Sequence, residues 1–156
     1  MFYVRRTIAV LRHFRPRTEF ERVAAALNKG RADEALVLLD EMLLREERPS
    51  VRARIQSKRA VALIALKRRD EARAVLNIAL GEDERCAPAL VNFGNLLLED
   101  GDPAHAIEYY NAAIQADSEY AGAYFNLGVA LKKMGRRSEA VRHLRTAQRL
   151  EMRRDV

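Results

Sequence analysis

Asn92 to Ile107 reads NFGNLLLEDGDPAHAI. Leu96-Leu97-Leu98 between polar neighbours reads as helix, yet Gly94 stands just ahead of it. A glycine inside a helix costs roughly 1 kcal/mol against alanine, so something must approach the backbone there. Gly101-Asp102-Pro103 marks a turn, with Asp102 placed to cap the next helix and Pro103 to open it. Beyond that turn lies Ala106, a second small residue. The spacing predicts an antiparallel helix pair in which Gly94 faces Ala106 at close range.

The same arrangement returns 34 residues later, where Asn126-Leu127-Gly128 restates Asn92-Phe93-Gly94, Gly135 restates Gly101 and Ala140 restates Ala106. One period earlier stand Ala60 and Ala72, with Lys67-Arg68-Arg69 at the turn. A fourth copy, using Val23, Gly30 and Ala35, fits only after a shift of three residues. The units therefore run 16–52, 53–86, 87–120 and 121–154, each a helix pair: 18–28 with 32–46, 52–66 with 70–80, 88–99 with 103–116, and 121–134 with 137–152. Pro16, Pro49, Pro88 and Pro103 all fall at helix starts or turns.

A 34-residue helix-turn-helix period resembles the tetratricopeptide repeat (TPR) family, whose pattern is a large residue, Leu-Gly, an aromatic, Ala, an aromatic, Ala and Pro. The third unit offers Leu90, Phe93-Gly94, Leu97, Ala106, Tyr110, Ala113 and Ser118 at those places; the last offers Tyr124, Leu127-Gly128, Leu131, Ala140, Leu144, Ala147 and Met152. The second keeps Ala60, Leu63, Ala72, Leu76 and Ala79 but carries Gln56 and Arg59 where large apolar residues belong. The first departs at Glu19, Arg22 and Met42, and no unit has the closing proline. The resemblance implies an all-α fold, a right-handed superhelical solenoid of about four such repeats over 16–156. It also implies a concave groove, lined by the first helix of each pair, that binds other proteins.

Composition narrows the rest. The chain has 156 residues, 49% of them hydrophobic, and a single cysteine, Cys86, so no internal disulfide forms. No apolar run reaches the length of a membrane span. Arg5-Arg6 is similar to an export signal, but the apolar stretch behind it ends at Arg12, and a cytoplasmic location is expected. His13, His105 and His143 lie at no metal-binding spacing, and Asp100-Gly101-Asp102 lacks the ligands of a calcium loop. No metal, cofactor or catalytic residue is expected, and the chain is not expected to be an enzyme.

Groove-facing places hold Phe20, Glu21 and Ala24 in the first unit, Arg54, Ser57, Lys58 and Val61 in the second, Val91, Asn92, Asn95 and Leu98 in the third, and Phe125, Asn126, Val129, Lys132 and Lys133 in the last. An asparagine amide both donates and accepts, so Asn92 and Asn126 are candidates to hold an extended peptide backbone. Some similar proteins clamp a terminal carboxylate through lysines placed before such asparagines; here Val91 replaces the first lysine, and that clamp is excluded. Arg54 and Lys58 at one end of the groove and Lys132 and Lys133 at the other favour an acidic peptide or protein partner. Net charge +6 also suits nucleic acid, but the six acids between Ala87 and Tyr120 interrupt the basic blocks, and few aromatics accompany them.

Residues 1–15 form a predicted basic amphipathic helix, with Tyr3, Val4, Ile8, Val10, Leu11 and Phe14 on one face and Arg5, Arg6, Arg12 and His13 on the other. Two roles suit it. It caps the first repeat by covering Phe20, Val23, Ala24 and Leu27, or it docks on an anionic membrane or a second copy of the chain, making a self-assembling or membrane-recruited scaffold.

Overall fold

The computed structural model describes residues 18–154, and the predicted helix at 1–15 lies outside them. Eight helices follow in four pairs: α1 (Glu19–Asn28) with α2 (Ala32–Arg45), α3 (Pro49–Ala65) with α4 (Arg69–Glu82), α5 (Ala87–Glu99) with α6 (Pro103–Ala116), and α7 (Ala121–Lys133) with α8 (Arg137–Arg154). Helix packs on helix within each pair, and the second helix of each pair packs on the first of the next.

The turns inside the pairs share one backbone solution. Gly30, Gly101 and Gly135 sit at φ of 71°, 85° and 77°, and Lys67 takes the equivalent place at 64°. After each of them the next N–H, from Arg31, Arg68, Asp102 or Arg136, donates 2.9 Å to the carbonyl five residues back. This left-handed closure satisfies carbonyls the helix end would leave open, and glycine adopts it without steric penalty. The turns between pairs also recur: the N–H of Cys86 and Tyr120 donate to the carbonyls of Asp83 and Asp117, whose carboxylates accept from the N–H of Arg85 and Glu119.

The three-residue shift of the first unit has a structural cause. α3 begins at Pro49, not at residue 52, and spans 17 residues where α5 and α7 span 13. Its extra first turn carries Arg52, which donates to the carbonyls of Leu43 and Glu46 at 3.0 Å and pairs with Glu82 at 2.9 Å. One side chain thus ties together the ends of α2, α3 and α4.

The glycines are also explained, though not as the spacing predicted. A Cβ at Gly94 would come within 2.7 Å of the Tyr110 ring, and one at Gly128 within 2.7 Å of Leu144 Cγ. The neighbour that excludes a side chain is therefore the large residue at the middle of the second helix, not Ala106. Tyr110 is fully buried, and its hydroxyl donates to Asn95 Oδ1 at 2.8 Å. At Gly128 the carbonyl of Ala140 does lie 3.2 Å away, so the expected partner contributes there through its backbone.

Core packing is continuous along the array. Val23, Ala26, Leu39, Met42, Ile55 and Ala62 form its first part, with Phe20 and Leu27 against them. Val23 is fully buried, while Phe20, Ala24 and Leu27 on the same helix are half-buried. Ion pairs bind units to each other: Arg69 with Glu99 and Asp100, Arg73 with Asp100 at 2.5 Å, and Arg59 with Asp40 at 2.8 Å. Phe93 stacks on Tyr109 with centroids 4.8 Å apart, beneath the Arg73 guanidinium.

Candidate functional site: the inner wall of the solenoid

Which side is concave follows from which helices touch. The leading helices α3, α5 and α7 pack successively on one another, while the trailing helices α2, α4, α6 and α8 make no comparable contacts. The leading helices therefore sit closer together and line the inner side of the curve. With interaxial steps of about 8–10 Å, the wall from α3 to α7 is roughly 20 Å across, the reach of an extended peptide of about six residues.

Arg54 and Lys58 lie at one end of this wall, on α3. The Arg54 guanidinium stands 5.4 Å and the Lys58 ammonium 5.9 Å from the Phe20 ring centroid. Of the nine arginines from Arg31 to Arg73, Arg54 is the one with no carboxylate partner among the described residues; the other eight are all ion-paired. Lys58 has none either, and burial together with the nearby Arg54 charge pushes its amine below the usual lysine value. Glu21, expected beside them, instead accepts from the Thr18 N–H at 2.8 Å and closes a capping box.

The middle of the wall differs from expectation. Val91 is 4% exposed and belongs to the core, so it lines no groove. Asn92 does not present a free amide: its Nδ2 donates to Ser57 Oγ at 3.0 Å and to the Ser57 carbonyl at 3.3 Å, joining α5 to α3. Ser57, 1% exposed, is itself covered by this contact. Asn95 is half-buried, and its carbonyl oxygen is taken by Tyr110. Both asparagines therefore hold the wall together.

The far end, on α7, keeps its groups available. Phe125 is 52% exposed, Asn126 is half-buried with no hydrogen-bond partner among the described residues, and Lys132 and Lys133 are exposed without ion pairs. The contrast between Asn126 and Asn92 has a simple origin. Asn92 reaches the residue 35 positions earlier, Ser57, whereas 35 positions before Asn126 stands Val91, which offers no acceptor side chain. Phe20 is the residue whose part was least visible from sequence, because its ring becomes a platform only when α1 lies against α3.

Elsewhere the described residues hold no cluster of three or more His, Cys, Asp or Glu side chains that would ligate a metal. Cys86 is buried, and burial raises its thiol pKa, which keeps it protonated and unreactive. No described helix is long and apolar enough to cross a membrane.

Comparison with known proteins agrees with the architecture. Residues 94–135 match the family model described as TPR repeat, and residues 121–151 match one described as tetratricopeptide repeat. No curated protein matches the chain in sequence. Solved structures with the same fold include PilF from Pseudomonas aeruginosa, with a TM-score of 0.70 at 24% identity over 85% of this chain and 59% of that one. MamA from Desulfovibrio magneticus RS-1 superposes with a TM-score of 0.62 at 21% identity over 88% and 76% of the two chains. YrrB, described as a TPR protein with an unusual peptide-binding site, gives 0.59 at 21% identity over 85% and 66%. The second half thus carries matched tetratricopeptide repeats, and all four units share the helix-pair α-solenoid fold of the TPR structures.

Proposed function

We propose that this protein is a non-enzymatic adaptor or assembly scaffold that binds an extended, acidic segment of a partner protein along the inner wall. The observation that carries the reading is the unneutralised pair Arg54 and Lys58 beside Phe20, in a chain that pairs nearly every neighbouring arginine. Lys58 is half-buried beside a second cation without a carboxylate, and burial first, then the Arg54 charge, lowers its pKa. An acidic side chain arriving between them supplies the missing carboxylate, and an apolar or aromatic neighbour packs on Phe20. At the other end Asn126 supplies the open amide for the peptide backbone, Phe125 an apolar contact, and Lys132 and Lys133 a second cationic end. The peptide that fits has acids at both ends, about six residues apart, and a neutral centre over α5. A peptide-binding site in YrrB, which shares the fold, is compatible with this use of the scaffold.

The test is fluorescence anisotropy with a labelled eight-residue peptide, acidic at both ends, against the same peptide carrying lysines in place of its acids. The acidic peptide should bind, weaken as salt rises, and weaken about ten-fold on Lys58→Met. The same substitution should leave the free protein as stable as before or slightly more so, since it removes an unpaired, half-buried charge. Equal affinity for the acidic and basic peptides would refute the proposal.

A further inference from the structure

The trailing helices differ in how they spend their cations. Arg45 on α2 and Arg69 and Arg73 on α4 are all ion-paired, and α6 has no Lys or Arg. α8 instead carries Arg142, Arg145, Arg149 and Arg153, all exposed, and no guanidinium among them has an ion-pair or hydrogen-bond partner among the described residues. At about 100° per residue the four fall on one stripe, turned away from the buried Ala140 and Ala147. The acids nearby are engaged or turned elsewhere: Glu139 pairs with Arg136, and Glu151 falls on the opposite side of the helix. Arg153 borders a cavity with Asp117 and Glu119 and pairs with neither, while the Asp117 carboxylate accepts from the Glu119 N–H.

Like charges three and four residues apart on a helix repel, so the stripe works against the fold that bears it. Solubility does not call for it, since acidic or mixed surfaces serve that better. Along one edge of the stripe stand two apolar side chains about three helical turns apart, Val141, 46% exposed, and Met152, 63% exposed. We propose that this face of α8 docks on an anionic lipid bilayer, with the arginines on lipid phosphates and Val141 and Met152 dipping between the headgroups. A bilayer supplies both halves of that chemistry, phosphates at the surface and an apolar layer beneath. Nucleic acid supplies only the first, and α8 has no Phe, Tyr or Trp on which a base could stack. The stripe is straight and about 16 Å long from Arg142 to Arg153, so a flat surface meets all four arginines at once. Because it points away from the core side of α8, docking leaves the inner wall open to a partner.

Co-sedimentation of the full chain with phosphatidylglycerol-rich vesicles, against phosphatidylcholine vesicles, tests this. Expected is binding to the anionic vesicles alone, weakened by salt. Arg142→Gln with Arg145→Gln and Arg149→Gln should weaken it about a hundred-fold, at about five-fold for each arginine. Lysine at the same three places should keep most of the binding, and Met152→Ser should weaken it about three-fold. All these changes are at exposed sites, and the glutamine variant should melt no lower than wild type because it removes repulsion. Arg5→Gln with Arg6→Gln and Arg12→Gln should bind vesicles as wild type does. The proposal is overturned if the chain does not prefer anionic vesicles, if the α8 glutamine variant keeps its affinity, or if the amino-terminal variant is the one that loses it. It is overturned as well if an RNA oligonucleotide displaces the vesicles and its own binding is lost in the same α8 variant, which would assign the stripe to nucleic acid.

Discussion

Gly94→Ala puts the packing of a single unit to a sharp test. The added methyl would stand 2.7 Å from Tyr110 Cε1 and 3.1 Å from two further ring carbons. Alanine brings back about 1 kcal/mol of helix propensity. Against that, forcing a methyl onto a fully buried ring costs about 1–3 kcal/mol, and displacing the ring from Asn95 loses a hydrogen bond of about 1 kcal/mol. The net should be a loss of about 1–3 kcal/mol, or a melting temperature lower by about 3–10 °C for a chain of this size. The second unit supplies the control, because there Ala60 occupies the glycine place and Leu76 the tyrosine place, both fully buried. In a Tyr110→Leu background the same Gly94→Ala change should therefore cost nothing, or stabilise by up to about 1 kcal/mol. Thermal and urea unfolding of the four proteins of this cycle decide. If Gly94→Ala destabilises equally in both backgrounds, the ring is not what excludes the side chain.

Other outcomes follow from the turns, the wall and one titrating pair. Lys67→Gly should stabilise by about 1 kcal/mol in urea unfolding, because Lys67 alone among the four pair turns holds a positive φ, at 64°, without being glycine. Asn92→Ala should cost about 1–2 kcal/mol by leaving Ser57 without its partner, whereas Asn126→Ala should change stability by less than about 0.5 kcal/mol and act on peptide affinity instead. Asp102 caps α6 through the His105 N–H at 3.2 Å and holds His105 Nδ1 at 2.6 Å, which raises the imidazole pKa above 6.5. A raised folded value means that the stabilisation is complete below the unfolded pKa and lost as pH climbs through the folded one. The stability difference between wild type and His105→Gln should thus shrink from about pH 5.5 to about pH 8, and a constant difference would show that the pair does not titrate as described.

Periodicity was legible because the turns repeat a backbone requirement that few residues meet. Gly30, Gly101 and Gly135 mark left-handed positions, and prolines at 49, 88 and 103 open helices, so the eight helices could be placed within a few residues of their observed ends. Even the three-residue offset of the first unit was visible as an offset. Its location was not, since an extra helical turn at Pro49–Arg52 and a longer loop look alike in a polar stretch such as Glu46-Glu47-Arg48. Nor could spacing tell which residue overhangs a glycine. Ala106 and Tyr110 stand one turn apart on the same face of α6, and the longer side chain is the one that reaches back across the pair.

The inner wall shows why a face can be read from sequence more readily than a site. Val91, Asn92 and Asn95 do lie on the leading helix α5, as the period requires. Yet α5 is flanked by α3 and α7, so its side chains meet neighbours before they meet a ligand: Val91 closes the core, Asn92 reaches Ser57, and Asn95 receives Tyr110. The last leading helix, α7, has a neighbouring leading helix on one side only and keeps Phe125, Asn126, Lys132 and Lys133 available. On α3 the groups left available are Arg54 and Lys58, which meet the Phe20 ring of α1 and no carboxylate among the described residues. Under the proposed peptide binding, a central wall made neutral and self-satisfied between two cationic ends would select for spacing of charge in a partner rather than for total charge. The same peptide composition with its acids moved to the centre should accordingly bind less tightly than the end-acidic form.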